Sequence, residues 1–235
     1  MAIMCLGVTG GIGCGKSYFT QMMIDVCRQH FIEVHHIDFD KLAKELYTGG
    51  EGFSKEVVFG IKEKFPGIVS ESYEGYGGGL VFTNYYVDTK KLSKIVFNNQ
   101  AKLSILNDIM KEPIRKLFAK KFKDIKSGLV LLDCALIAEH KMFDICDEKY
   151  FTKCVVLDVP EDIQIKRLKE RGLTDGVIDN IRGSQLLSKG KKRILEENGF
   201  EVFYENAYHD REKEIQKLVV ANILRNFVFE EGDLL

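Results

Sequence analysis

The 235-residue chain lacks the features that mark several large classes of protein. It has no tryptophan and only three prolines, and its formal net charge is −1, because 34 Lys and Arg nearly balance 35 Asp and Glu. Proteins that grip long nucleic acid or an anionic membrane usually carry a strong basic excess, so we expect neither partner. No apolar run approaches the roughly 20 residues that cross a bilayer. We therefore expect a cytoplasmic protein without a signal peptide.

Paired cysteine motifs are also missing, although six cysteines are present. None of them forms the CxxC pattern of a zinc or redox site, and most lie inside apolar runs. This favours buried free thiols in a reducing compartment over disulfides or zinc ligands. The six are Cys5, Cys14, Cys27, Cys134, Cys146 and Cys154.

What the chain does have is an alternation of short apolar runs and amphipathic segments. This is typical of a parallel sheet covered by helices on both faces, the α/β class. Strands are predicted at residues 2–8, 33–37, 129–133, 154–158 and 201–204. Helices between or after them are predicted at residues 16–30, 38–47, 161–171 and 209–229.

Residues 50–127 interrupt this rhythm and predict a mainly helical insertion. Helices are expected at 53–65, 90–110 and 113–122, with Pro113 at a first helical position. Residues 66–88 are rich in Gly and Tyr, and a structureless loop of that length is unusual, so we expect a hairpin or other ordered excursion there. The predicted division is a core (1–49, 128–171 and 199–235), the insertion (50–127) and a polar, basic lid (172–198).

The most specific motif is GGIGCGKS at residues 10–17, which matches GxxxxGK[ST] in full between a predicted strand and a predicted helix. Glycines let successive N–H groups turn toward one point, where they and the positive end of the helix bind phosphate. Lys16 can reach the β- and γ-phosphates of ATP, and Ser17 can bind Mg²⁺. An ordinary Gly-rich turn is the alternative. The predicted ATP contacts are Gly11, Ile12, Gly13, Cys14, Gly15, Lys16 and Ser17.

A second apolar run ends in Asp133, which is a candidate for holding Mg²⁺ and could equally be a strand-end turn residue. Cys134 follows it, where motor ATPases usually place a water-activating Glu, and no NKxD sequence for reading guanine is present. Both observations favour phosphoryl transfer to a small hydroxyl substrate over a motor or a GTPase switch.

Such a transfer needs a carboxylate for the acceptor and cations for the phosphate. Asp38 and Asp40 follow the second strand, and they lie beside the phosphate loop if that strand neighbours the first; Asp38 could equally cap the next helix. Gln164, Arg167 and Arg171 share one helical face. Further cations follow along the predicted lid, as a phosphate site or as a solvated face: Arg182, Lys189, Lys191, Lys192 and Arg193.

Taken together, these motifs resemble the dephospho-coenzyme A kinase family from about residue 2 to residue 225. Residues 8–17 are similar to its TGGIGSGKS, with Cys14 for the usual Ser, and residues 37–40 to its "DAD" element. Residues 92–97 resemble "LR..VF", 132–139 resemble "D.PLL.E", and 164–171 resemble "Q..RL..R", while Gln185 and Asn206 match the lid glutamine and an Asn near the adenine.

The resemblance implies a three-layer P-loop NTPase fold with a five-stranded parallel sheet, a helical coenzyme A domain at 50–127 and a lid. It implies phosphorylation of the 3′-hydroxyl of dephospho-coenzyme A by ATP with Mg²⁺, with Asp38, Lys16 and Arg171 catalytic, Arg167 and Arg182 on the phosphates, and Ser17 and Asp133 on the metal. Lys90, Glu112 and Ala135 replace the family's usual Arg, His and Pro. The alternatives are a kinase for another small hydroxyl or nucleotide acceptor, and a nucleotide-binding regulatory protein with a decayed acceptor site.

Overall fold

The computed structural model describes residues 3–49, 52–76, 80–97, 99–145 and 150–206. The predicted helix at 209–229 and Cys146 lie outside these residues. The chain divides into two compact units: Met1–Ile37 with Ile125–Leu235 form the first, and Asp38–Asp124 form the second. No helix in the described part of the chain has the length and apolar character needed to cross a membrane.

Strands and helices follow one another along the described chain. The strands are β1 (Ile3–Gly10), β2 (Val34–Asp38), β3 (Thr48–Gly49), β4 (Val69–Tyr76), β5 (Leu80–Val87), β6 (Gly128–Asp133), β7 (Phe151–Asp158) and β8 (Glu201–Asn206). The helices are α1 (Lys16–Gln29), α2 (Phe39–Leu46), α3 (Phe53–Lys64), α4 (Thr89–Val96), α5 (Gln100–Phe122), α6 (Glu161–Glu170), α7 (Asp175–Ser184) and α8 (Ser188–Glu197).

The predicted five-stranded sheet is confirmed, with the order β2-β6-β1-β7-β8. β1 pairs in parallel with β6 and β7, and β7 pairs in parallel with β8. Every residue of β6 is buried, as expected for a strand covered on both faces. β6 lies between β1 and β2, so the first two strands are not neighbours.

Helix α1 packs its predicted apolar face on this sheet. Phe19, Met23 and Cys27 are buried in one cluster with Leu6 of β1 and Leu131 of β6. Full burial of a large apolar side chain contributes about 1.5–3 kcal/mol, so this cluster holds α1 firmly at the end of β1. The five cysteines in the described residues are all buried, and Cys14, Cys27 and Cys154 are free thiols, as predicted for them.

The second unit combines helices α2 to α5 with a three-stranded sheet of order β3-β5-β4. β4 and β5 pair antiparallel from Val69 opposite Val87 to Tyr76 opposite Leu80, which confirms the predicted hairpin. Apolar side chains of α3, β5 and α5, among them Ile61, Val87 and Leu106, form this unit's own core.

The predicted boundary between the last two helices of this unit is wrong. The break falls between Val96 and Gln100, where the Asn99 side chain accepts a hydrogen bond from the backbone N–H of Lys102 and so caps α5. Pro113 lies inside α5 rather than at a first position, and it is buried. Its missing N–H removes one helical hydrogen bond, and burial of this helix face compensates for that loss.

Candidate active site

The turn between β1 and α1 has the backbone conformation that its glycines allow. Gly13 and Gly15 have φ of 82° and 89°, in the left-handed region that favours glycine. α1 begins directly after Gly15, and no side chain caps its first turn or places a carboxylate there. The amides at this helix start therefore keep their positive partial charge for an anion.

Lys16 folds back over this turn. Its Nζ donates to the carbonyl oxygens of Gly10 at 3.2 Å and Gly11 at 3.3 Å, which holds the ammonium group beside the loop backbone. Ser17 follows in the exposed first turn of α1. Burial raises the pKa of the Cys14 thiol, while the neighbouring Lys16 charge opposes the shift, so Cys14 is a neutral group in the loop.

Two glutamines form hydrogen bonds with the backbone of Ile12. The Nε2 of Gln164, in α6, donates to the Ile12 carbonyl at 2.5 Å, and the Ile12 N–H donates to Oε1 of Gln185 at 3.0 Å. Arg167, one turn after Gln164, donates to the Gly13 carbonyl at 3.2 Å. The predicted face of α6 thus contacts the phosphate loop through Gln164 and Arg167.

The other predicted cations lie differently. Arg171 is exposed at the C-terminal cap of α6. Arg182, in α7, donates from Nε to Oε1 of Gln164 at 3.2 Å, and its guanidinium lies 2.8 Å from a carboxylate oxygen of Glu161. Arg182 is therefore connected to the loop through Gln164.

A cavity of about 250 Å³ opens beside the loop at Gly11 and Cys14. Its wall carries charges of both signs and amides, which suits a polar ligand with several hydrogen-bonding groups. The remaining lining residues are Asp158, Val159, Glu161, Gln164, Arg182, Gln185, Leu186, Leu187, Ser188 and Lys189.

Asp158, at the end of β7, was not singled out in the sequence. The hydroxyl of Tyr204 in β8 donates to its Oδ2 at 2.6 Å. Burial, and then the bond to Asp158, raise the pKa of Tyr204, so the phenol stays protonated and holds this carboxylate at the cavity wall. Asn206 ends β8 with its Cα opposite that of Asp158. The sequence signal was available, since β7 ends in Asp just as β6 does.

Asp133, at the end of β6, is a buried carboxylate opposite Val8 of β1 in the strand register. Its Oδ2 lies 3.8 Å from Nε2 of His36 in β2. The oxygens of Asp133 and Ser17 are hard donors of the kind that Mg²⁺ prefers, so the donor set fits this ion.

Asp38 belongs to the second unit and caps α2. Its Oδ1 accepts a hydrogen bond from the Lys41 N–H at 3.0 Å, and its Oδ2 lies 3.6 Å from the Lys41 ammonium group. The helix-cap alternative from the sequence is therefore observed. The cap bond uses one lone pair of Oδ1 and does not exclude the catalytic role of Asp38, which stays a prediction.

A family model and the curated relatives indicate the same family. A family model described as dephospho-CoA kinase matches residues 4–198. A dephospho-CoA kinase of Carboxydothermus hydrogenoformans is 31% identical over 169 residues, which are 71% of this chain and 69% of that protein. One from Geobacillus kaustophilus is 33% identical over 174 residues, 72% and 74% of the two chains. The crystal structure of TT1252 from Thermus thermophilus matches 96% of this chain and 98% of its own at a TM-score of 0.63 and 20% identity, which supports the fold.

Proposed function

The chain belongs to the dephospho-CoA kinase family, and on that premise we propose that it transfers the γ-phosphoryl group of ATP to the 3′-hydroxyl of dephospho-coenzyme A. The products are ADP and coenzyme A. The observation that carries the proposal is the complete phosphate loop, with Lys16 folded over it and the Ile12 peptide held by two glutamines.

The bond from the γ-phosphorus to the β–γ bridging oxygen breaks, and a bond from that phosphorus to the acceptor oxygen forms. Lys16 stabilises the charge that moves onto the β-phosphate, and the amides after Gly15 bind the same group. Asp38 accepts the proton of the acceptor hydroxyl. Mg²⁺, held through Ser17 and Asp133, would screen the phosphate charge.

The other untested assignments belong to the same proposal. Residues 50–127 hold the acceptor, residues 172–198 act as the lid, and Arg171 and Arg182 bind the transferring phosphate. Asn206 lies near the adenine, as the resemblance implies. We propose that the reaction takes place in the cytoplasm.

The test is an ADP-release assay with Mg-ATP and a panel of acceptors: dephospho-coenzyme A, adenosine, AMP and shikimate. Dephospho-coenzyme A should give the highest kcat/KM. Lys16→Ala should lower turnover by about 100-fold or more, because Lys16 stabilises charge that grows as the phosphoryl group leaves. Lys44→Ala, at an exposed position of α2, is the matched control and should keep full turnover.

Two results would contradict the proposal in different ways. Rapid turnover with another acceptor and none with dephospho-coenzyme A would refute the substrate. Binding of ATP without turnover on any acceptor would favour the regulatory alternative.

A further inference from the structure

Lys191, in α8, is a cation that the structure buries completely. Its side chain is 0% exposed, whereas the neighbouring Lys192 and Arg193 reach 36% and 76%. A lysine is almost never fully buried unless its charge is paired. The reading of this charge run as a solvated face is thus wrong for Lys191.

The partners of Lys191 belong to the loop that follows β6. Its Nζ donates to the Ala135 carbonyl at 2.7 Å and forms an ion pair with Oε1 of Glu139, whose side chain is 13% exposed. The same Oε1 accepts a hydrogen bond from the Leu186 N–H at 3.0 Å. The other carboxylate oxygen, Oε2, is buried and accepts no hydrogen bond from the described residues. Glu139 therefore depends on Lys191 for compensation of its charge.

Both ends of this network reach the phosphate loop. Leu186 directly follows Gln185, whose side chain accepts from the Ile12 N–H. The Ala135 carbonyl also accepts a hydrogen bond from the Thr9 hydroxyl at 3.1 Å. Thr9 directly precedes the first loop residue, Gly10. The Lys191–Glu139 pair is thus connected to Thr9, directly before the loop, and to Ile12 within it.

We propose that Lys191 and Glu139 are positioning residues, which hold Gln185 on the Ile12 peptide and so fix the phosphate loop for the nucleotide. A buried ion pair is weak evidence for stability as such, because desolvation of both charges offsets their attraction. Burial lowers the pKa of Lys191, and the Glu139 carboxylate opposes that shift. The desolvation cost of the pair is explained if the pair places a phosphate-binding backbone precisely.

The first test is amide hydrogen exchange of the free protein, which does not depend on the proposed function. Lys191→Met keeps the length of the side chain and removes its charge. Exchange of the Ile12 amide should become about tenfold faster or more, relative to the Val130 amide in the sheet core, which reports global opening. A purely structural role would change both amides equally. Lys192→Met is the matched control, because Lys192 also pairs with a glutamate, Glu196, on the surface.

Lys191→Met leaves the Glu139 charge buried alone, and this variant could fail to fold. Lys191→Met with Glu139→Gln removes both charges and keeps an acceptor for the Leu186 N–H. The double variant lacks the bond to Ala135, so its Ile12 amide should still exchange faster relative to Val130. An Ile12-to-Val130 ratio equal to that of the wild type in either folded variant overturns the inference.

The kinetic arm rests on the proposed function. The folded variant should show kcat/KM for ATP lowered about tenfold and KM for dephospho-coenzyme A unchanged. Unchanged kcat/KM for ATP would overturn the inference. If the wild-type protein turns over no acceptor while Ile12 loses protection in the variant, the positioning role stands and the proposed function fails.

Discussion

At the scale of single residues, one substitution can separate the observed helix-cap role of Asp38 from its proposed catalytic role. Asp38→Asn should lower kcat by about 100-fold, the lower range for loss of a general base, with KM for ATP nearly unchanged. The melting temperature should hardly change, because Asn caps helices about as well as Asp. Steady-state kinetics and thermal unfolding measure these effects.

The second unit provides a matched control for this substitution. Asp88 caps α4 as Asp38 caps α2: its Oδ1 accepts from the Lys91 N–H at 3.0 Å, and its Oδ2 lies 3.4 Å from the Lys91 ammonium group. Asp88→Asn should therefore leave both stability and kcat unchanged. Equal kcat in Asp38→Asn and Asp88→Asn would show that Asp38 is only a cap.

The residues that could be predicted are those whose role depends on near neighbours in sequence. Lys16 and Ser17 are placed by a local motif, and the glycines of the turn have the φ values that the motif requires. Lys191 and Glu139 could not be recognised as a pair, because they are 52 positions apart and the structure alone brings them together. A partial signal existed, since Lys191 shares a helix face with the buried Leu195.

At the scale of elements, α7 and α8 both lie in the predicted lid, but they differ in the buried contacts that hold them in place. α8 is fixed by Lys191, by the buried Leu195 and by the Ser188 hydroxyl, which donates to the Leu157 carbonyl of β7 at 3.1 Å. α7 buries only Ile178 and Ile181. The movable part of the lid is therefore expected around α7.

This difference predicts a pattern of hydrogen exchange on ligand binding. A bisubstrate analogue should slow exchange at residues 173–184 by about tenfold or more, because phosphoryl transfer requires exclusion of water. Residues 188–197 should change little, and they serve as the internal control. Equal protection of 173–184 with and without the analogue would identify α7 as a fixed surface.

The strands that are buried on both faces of the sheet could be predicted from the sequence. β6 and the second half of β7, from Cys154 to Leu157, are continuous apolar runs, which are typical of strands in a parallel sheet. The break before α5 was misplaced, because Pro113 is the stronger signal in the sequence, whereas the Asn99 cap decides where the helix begins. Helix caps are single hydrogen bonds, and tertiary packing selects among several candidate positions for them.

At the scale of the whole molecule, two of the departures from the family pattern, Lys90 and Glu112, lie in the second unit. Lys90 and Glu112 replace an Arg and a His, and a lysine gives weaker and less directional phosphate recognition than the forked guanidinium. Lys90→Arg with Glu112→His should lower KM for dephospho-coenzyme A on the order of fivefold, about 1 kcal/mol, and leave KM for ATP unchanged.

Lys91→Arg, at the next exposed position of α4, is the control and should change neither KM. The exposed Glu112 carboxylate lies 3.9 Å from Nε of the largely buried Arg115, and loss of so long an ion pair costs little stability. If the double variant shifts both KM values together, residues 90 and 112 do not act on the acceptor.

The strand order also determines when the chain can fold during its synthesis. Ile3 of β1 pairs with Gly128 of β6, so the central strand leaves the ribosome long before its neighbour exists. At a synthesis rate of about 5–20 residues per second, the apolar face of α1 is made on the order of ten seconds before the later strands that it packs against. The second unit is one continuous segment, Asp38–Asp124, and it can close during that delay. We therefore expect the nascent chain to complete its second unit before the sheet that carries the phosphate loop, which needs β6 and β7.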